Sequence, residues 1–318
     1  MQDFVKLNKE IKEEISTKLS SVNDQSRNFI RDIVILIKRE IGLNNVISII
    51  LFGSQILTKE NRDISKVSDC DLLIVFKDNV PQISLKRLNK FLITTEIKHK
   101  FRDSKVNLGD KILKIIQQST GMFISHFLTK RKYFELGIFH KIFQVNELFS
   151  KLFAPTKIVL SSVIDNSEKL YGLDLKDLIK KEIKVPPFDM IKSIIMNLLI
   201  SLFALVISPF KMFNSMKFQL EAIKWSLRAS NYYSFRDSKT LETLIKRFKM
   251  LEKSERFKRR ADSFYERFIE LRKNTQMDID FMLRCPLSVI RIHIKGLIFK
   301  KILKKINRRK GNLKIKKK

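Results

Sequence analysis

Two short polar segments early in the chain carry residue types that suit phosphate chemistry. Gly53 and Ser54 follow an apolar run, and after fourteen intervening residues Asp69-Cys70-Asp71 precedes another apolar run. A glycine turn can direct backbone N–H groups at a phosphate, and a serine hydroxyl adds a hydrogen bond. Two carboxylates two residues apart on a strand share a face, where they repel unless a cation such as Mg²⁺ lies between them. We therefore predict a triphosphate site at Gly53 and Ser54 and a magnesium site at Asp69 and Asp71.

The elements that must position these residues alternate between strands and helices. Residues 46–52 and 72–76 are β-branched and apolar, which predicts two buried strands. Apolar residues recur every three or four positions in 83–101, which predicts a helix, and 122–128 predicts a further strand. This alternation predicts an α/β core within a chain of the α+β fold class.

In residues 45–130 the sequence resembles the DNA polymerase β-like nucleotidyltransferase superfamily. The signature of that family is Gly-Ser followed, after roughly ten to fifteen residues, by Asp-x-Asp at the start of a hydrophobic strand. Gly53, Ser54, Asp69 and Asp71 match it one by one. The resemblance implies transfer of a nucleoside monophosphate from an NTP, commonly ATP, to a hydroxyl or phosphate, with release of pyrophosphate. It also implies that the two aspartates are catalytic and hold the metal, and that Gly-Ser binds the nucleotide.

The resemblance extends more weakly into the second half of the chain. The segment 167–172 contains Leu-Tyr-Gly, which is similar to a segment often seen after the catalytic core. The helices beyond it look like the helical substrate domain of prokaryotic family members. The resemblance thus implies a nucleotidyltransferase core followed by an all-helical bundle.

A third carboxylate, which the resemblance implies on the next catalytic strand, is absent from residues 122–128. Glu96 on the preceding helix and Glu135 beyond the strand are candidates for this role. His126 on the strand is a candidate proton acceptor, and its alternative is a structural role. The alternative is therefore a catalytically impaired nucleotidyltransferase-like protein that binds nucleotide or RNA and catalyses no transfer.

Helical periodicity dominates outside the predicted core. We predict two helices before Gly42 and a series of amphipathic helices after Pro155. Residues 194–207 are almost wholly apolar but fall short of the roughly 20 that cross a bilayer, so we expect a buried core helix. The predicted domains are N-terminal helices packed on the core (1–43), a catalytic domain (44–154), a helical substrate domain (155–286) and a basic amphipathic tail (287–318).

One predicted helix of the second half carries aromatic and basic residues that could stack on a base or bind a phosphate. Aromatic residues at helical spacing are more commonly part of the core, which is the alternative interpretation. The residues in question are Trp225, Arg228, Asn231, Tyr232 and Tyr233.

The chain is strongly basic, with 64 Lys and Arg against 33 Asp and Glu and a net charge of +31. This charge disfavours a cationic small-molecule acceptor and favours RNA or a protein hydroxyl. The tail has an apolar stripe among lysines and arginines. We consider three partners for it: its own bundle, RNA, or an anionic membrane surface.

The two cysteines indicate the cellular compartment. Cys70 and Cys285 are far apart, without a Cys-x-x-Cys motif, so the sequence supports neither a disulfide framework nor a zinc site. The first residues lack the uninterrupted apolar run of a secretory signal. We therefore expect a cytoplasmic protein.

Overall fold

The computed structural model describes residues 19, 22–53, 70–101, 124–179, 185–210, 215–237, 239–250 and 255–315. The chain divides into two compact units. The sheet unit comprises Met1–Lys151 and Val163–Ile183, and the bundle unit comprises Leu152–Ser162 and Lys184–Lys318. The predicted α+β fold class is confirmed, because a mixed four-stranded sheet is combined with many helices.

The sheet has the strand order β3-β2-β1-β4. β1 pairs antiparallel with both β2 and β4, and β2 pairs parallel with β3. The predictions of β1 and β2 are confirmed, and both are nearly continuous buried apolar runs of the kind that predicts a strand. The strands are β1 (Val46–Phe52), β2 (Asp71–Phe76), β3 (His126–Lys130) and β4 (Ser167–Gly172).

Two details of the sheet differ from the sequence analysis. β3 ends at Lys130, two residues beyond the predicted strand, and residues 122 and 123 lie outside the described ones. The prediction that only helices follow Pro155 is wrong at β4. Only Leu170 of β4 is fully buried, because β4 is an edge strand. β4 is held by long-range pairing with β1, and its sequence shows no clear alternation of apolar and polar residues.

Helices α1 (Asp24–Glu40) and α2 (Gln82–Lys98) cover one face of the sheet. The Asn23 side chain accepts a hydrogen bond from Ser26 N at 2.8 Å and caps the start of α1. α1 ends just before Gly42, as predicted. The first predicted N-terminal helix falls on residues 1–18, outside the described ones. The shared core contains Phe29, Ile30, Ile33, Ile49, Leu51, Leu72, Ile74, Leu88 and Leu92.

Five short helices connect the remaining elements, four between β3 and β4 and one after β4. They are α3 (Arg131–Glu135), α4 (Phe139–Ile142), α5 (Glu147–Leu152), α6 (Thr156–Asp165) and α7 (Leu175–Leu178).

The bundle unit is built around α9, which packs against both α8 and α12. α12 runs without interruption across 286–287, where the sequence analysis begins the tail, and contains Pro286. The bundle helices are α8 (Pro187–Ile207), α9 (Ser215–Phe235), α10 (Leu241–Lys249), α11 (Glu255–Lys273) and α12 (Ile279–Ile315).

Within the part of the chain that the structure describes, α8 is long and apolar enough to cross a membrane. Its most apolar window has a mean hydropathy of 2.3, and 44% of that window is buried. The prediction of a buried core helix at 194–207 holds for one face of the helix and is wrong for the other. The polar side chains of α8 face the bundle interior, and a row of large apolar ones faces solvent.

Candidate active site

The structure places Gly53 beside Asp71. Phe52, the last residue of β1, pairs with Asp71, the first residue of β2, so the chain turns at Gly53 next to the carboxylate. Gly53 has a φ of +84°, and a Cβ there would overlap Asp71 Oδ2 and lie 3.1 Å from its Cγ. A glycine is therefore required here for both the backbone conformation and the space that the Asp71 carboxylate occupies.

Two of the four predicted site residues are thus brought together. Ser54 and Asp69 lie outside the described residues, so their placement stays a prediction. Asp71 is half-buried, whereas Cys70 is fully buried in the core beneath α1 and α2. Asp71 and Cys70 therefore point to opposite faces of the sheet, as the alternation of a strand predicts.

An aromatic cluster shares the face of the sheet that carries Asp71. Phe52 lies opposite Asp71, and its ring centroid is 6.1 Å from that of Phe127 on β3. Phe127 contacts Phe143 at 5.3 Å, and Phe143 contacts Phe139 at 4.7 Å. Phe52 and Phe139 are half-buried, so part of each ring meets solvent. This cluster was not predicted from the sequence. The available signal was the position of Phe52 and Phe127, whose side chains point to the same face of the sheet.

Glu96 and His126 form a buried polar pair on the other face of the sheet. Glu96 Oε1 lies 2.7 Å from His126 Nδ1, and Asn89 Oδ1 lies 2.8 Å from His126 Nε2. His126 is level with Leu72 in the parallel register, so its side chain shares the face of Leu72, beneath α2. The sheet separates this pair from Asp71. The interpretation of His126 as structural is confirmed, and Glu96 as the third carboxylate is wrong.

Glu135, the other candidate, lies beyond the far end of β3. That strand starts level with Leu72 and ends level with Phe76, so a rise of about 3.3 Å per residue separates its two ends by more than 10 Å. Glu135 follows the far end, and its Oε1 accepts a hydrogen bond from Arg131 Nε at 2.6 Å. Glu135 therefore does not complete the site either.

On the Asp71 face, β3 and the residue before it offer Ser125, Phe127 and Thr129, none of which is acidic. Within the described residues no group of three or more His, Cys, Asp and Glu could hold a metal. Asp71 fits the oxygen ligands that Mg²⁺ prefers. The second ligand in the predicted pair is Asp69.

The aromatic helix of the second half is α9, and most of its candidate residues belong to the core. Tyr232 and Tyr233 are buried. Asn231 is also buried, and it bonds to Asp237 and Arg247. Their interpretation as ligand-binding residues is wrong, because they lie on the face of α9 that packs inside the bundle. Trp225 is half-buried and donates from Nε1 to Glu221 at 3.1 Å.

Comparison with known proteins gives similarity to solved structures alone. No protein-family model and no curated protein matches the sequence. Among solved structures, the chain is similar to spectinomycin adenyltransferase AAD(9) from Enterococcus faecialis, whose crystal structure contains ATP and spectinomycin. The identity is 10%, the match covers 85% of this chain and 98% of that chain, and the TM-score is 0.48. This similarity assigns no substrate to the chain.

Proposed function

We propose that the sheet unit transfers a nucleoside monophosphate from an NTP to an acceptor and releases pyrophosphate. The observation that carries this proposal is the junction of β1 and β2, where Gly53 at a positive φ lies against the Asp71 carboxylate. A phosphate-binding turn and a metal-binding carboxylate must be neighbours for this reaction, because Mg²⁺ held by the carboxylates would have to stabilise the charge of the triphosphate.

The roles of the chain's own residues follow from that geometry. The turn at Gly53 and the Ser54 hydroxyl bind and orient the triphosphate. Asp71 and Asp69 would hold Mg²⁺, and their carboxylates fix the triphosphate relative to the acceptor. Bound Mg²⁺ would stabilise the leaving pyrophosphate and activate the acceptor hydroxyl.

The donor in this proposal is ATP, and the aromatic cluster supplies a place for its base. Phe52 is half-buried and directly opposite Asp71, and Phe139 is half-buried at the far end of the cluster. An exposed ring face beside the phosphate site can stack on a purine.

The acceptor in this proposal is RNA or a protein hydroxyl. The net charge of +31 repels cationic small molecules and attracts polyanions. The charge supports this class of acceptor but does not identify a particular RNA or protein.

The test of this proposal combines Asp69→Asn with Asp71→Asn. We expect loss of Mg²⁺-dependent ATP binding and of label transfer from α-labelled ATP to cellular RNA or protein. Melting without metal should stay level or rise, because two repelling charges are removed. The control is Asp24→Asn with Asp280→Asn, which removes two charges whose side chains are 89% and 71% exposed. Unfolding of the site variant, or undiminished transfer, would contradict the proposal.

Ser54→Ala tests the triphosphate site separately. We expect ATP affinity to fall by about 1 to 2 kcal/mol, the contribution of a hydrogen bond to a charged group, with little change for adenosine. Ser288→Ala, on the exposed side of α12, is the matched control. Equal losses for ATP and adenosine would show that the turn does not contact phosphate.

A second candidate function is binding of nucleotide or RNA without transfer. It is favoured by the absence of a further acid beside Asp71 on β2 or β3 within the described residues. Saturable ATP binding with neither label transfer nor pyrophosphate release, across all acceptors and NTPs tried, would favour this alternative.

A further inference from the structure

Helix α8 presents its apolar side chains to solvent. Six of them, spaced by three or four residues, form one row along the helix and have exposed fractions between 42% and 70%. Such a row lies on one face of a helix. This α8 stripe consists of Phe188, Ile191, Ile195, Leu199, Leu202 and Val206.

Hydrogen bonds on the opposite face fix this orientation. Ser201 Oγ donates to Gln219 Oε1 at 2.6 Å, and Gln219 Nε2 donates back to Ser201 O at 2.8 Å. Asn197 Nδ2 lies 3.3 Å from His293 Nε2. Turning α8 to bury its stripe would break these bonds and leave buried polar groups unpaired. The stripe is thus exposed because the polar face is bound inside the bundle.

Helix α12 carries a second exposed stripe beside the first. The two helices are antiparallel neighbours, because Asn197 contacts His293 and Met190 contacts Lys300. Six apolar residues of α12, spaced by four or seven, have exposed fractions between 44% and 66%. The α12 stripe consists of Ile279, Leu283, Leu287, Ile294, Ile298 and Ile302.

The stripes flank the line of contact between the helices. Ile294 follows His293, which contacts α8. Ile298 follows Leu297, which packs on the core cluster that contains Met190 of α8. On α8, Ile191 follows Met190. We call the two stripes together the apolar surface of the bundle unit.

The charges beside this surface are all of one sign over most of α12. Residues 281–315 contain Lys and Arg but no Asp or Glu. Arg284, Arg291, Lys301 and Lys305 are exposed. A helix with an apolar stripe bordered by cations suits the interface of a bilayer that contains acidic lipids.

We propose that the apolar surface docks the bundle unit on an anionic lipid bilayer, with the helices lying in the plane of the interface. Charge complementarity favours this occupant over a second copy, because two chains of +31 repel each other. The apolar side chains of this surface favour lipid over RNA, since apolar side chains bind no phosphate. The helix lies on the bilayer and does not cross it, because its buried polar face is bonded to α9 and α12.

The experiment is flotation of the full chain with vesicles of phosphatidylcholine alone or with about a quarter phosphatidylglycerol. We expect binding to the anionic vesicles and little to the neutral ones. Leu199→Ser with Leu202→Ser keeps every charge and should weaken anionic binding about tenfold or more. The control is Ile83→Ser with Leu136→Ser, two exposed apolar residues of the sheet unit, which should change nothing.

Unweakened binding of the α8 variant would overturn the proposal, since charge alone would then hold the protein on lipid. Absence of binding to anionic vesicles would overturn it as well. A dimer by light scattering that the α8 variant makes monomeric would assign the surface to a second copy instead. Should the double variant fail to fold, Leu199→Cys carrying a polarity-sensitive dye gives the same decision: its emission must shift to the blue on anionic vesicles, while Leu136→Cys must not. These outcomes do not depend on nucleotide binding or transfer.

Discussion

Helix α1 of the sheet unit and helix α8 of the bundle unit bury opposite kinds of residue. α1 places Phe29, Ile30 and Ile33 in the core, and its charged residues are half-buried or exposed. α8 places Asn197 and Ser201 inside, and its large apolar residues face outward. Hydrophobic burial decides the orientation of α1, whereas hydrogen bonding decides that of α8. An apolar residue thus stabilises the fold in one helix and is available to a partner in the other.

The buried histidines of the two units differ in the charge of their hydrogen-bonding partners. His126 of the sheet unit contacts the Glu96 carboxylate. Among the described residues, the hydrogen-bonding partners of His293 in the bundle unit are the neutral side chains of Asn197, Ser230 and Tyr233. Burial lowers the pKa of His293 to about 3 and raises that of Tyr233 to about 12. The bundle core is therefore polar but uncharged at this site.

The largest expected effect comes from a matched pair of isoleucines. Ile33→Ala in α1 removes a side chain that is 0% exposed and should lower the free energy of unfolding by about 2 to 5 kcal/mol. Ile191→Ala in α8 removes one that is 50% exposed and should cost less than about 1 kcal/mol. Denaturant unfolding, with hydrogen exchange read separately in α1 and α8, measures both. Equal losses would break the comparison.

Acidification should destabilise the bundle unit through His293. The native pKa of about 3 lies below the ordinary 6.5, so the unfolded chain binds more protons between these values and stability falls as pH falls. The slope is about 1.4 kcal/mol per pH unit, which amounts to about 3 kcal/mol by pH 4.

His293→Gln keeps polar atoms in place and removes the titration. The free energy of unfolding of this variant at pH 7 will be lower than that of the parent chain. Between pH 7 and pH 4, however, the variant should lose about 3 kcal/mol less than the parent chain. Thermal melting over a pH series is the measurement. Parallel pH profiles for the parent and His293→Gln would show that another group is responsible.

Glu96→Leu should cost about 1 to 3 kcal/mol, because it leaves His126 Nδ1 buried without its partner. Glu96→Gln retains a hydrogen-bonding side chain and should cost less. Because the sheet separates Glu96 from Asp71, Glu96→Gln should also leave label transfer unchanged. Loss of transfer in a folded Glu96→Gln protein would restore Glu96 as a catalytic carboxylate.

The smallest effect on stability is expected at the glycine of the candidate site. Gly53→Ala and Gly42→Ala both place a Cβ at a φ near +85°, and each should cost about 1 to 2 kcal/mol. Only the Cβ at position 53 meets the Asp71 carboxylate, whereas that at position 42 meets Asn44. ATP binding, measured by calorimetry, should therefore weaken in Gly53→Ala alone. Equal ATP affinity in both variants would separate the turn from the nucleotide site.

Much of the sheet unit could be predicted because its signals are local. β1 and β2 are short apolar runs, and α1 and α2 show a clear helical period. The pairing of Gly-Ser with Asp-x-Asp identified the candidate site, and the structure brings Gly53 and Asp71 together. β4 escaped prediction, because an edge strand held by long-range pairing with β1 has no period of its own.

By itself, the sequence determined strands β1 and β2 and the basic charge, since both depend on residue type and short spacing. Only the tertiary structure decided that Glu96 and His126 lie on the opposite face from Asp71, because the face depends on register between distant strands. Only the tertiary structure decided which way α8 faces. A helix that is apolar on nearly every side has no preferred hydrophobic face, so its few polar side chains turn towards their hydrogen-bond partners on α9 and α12.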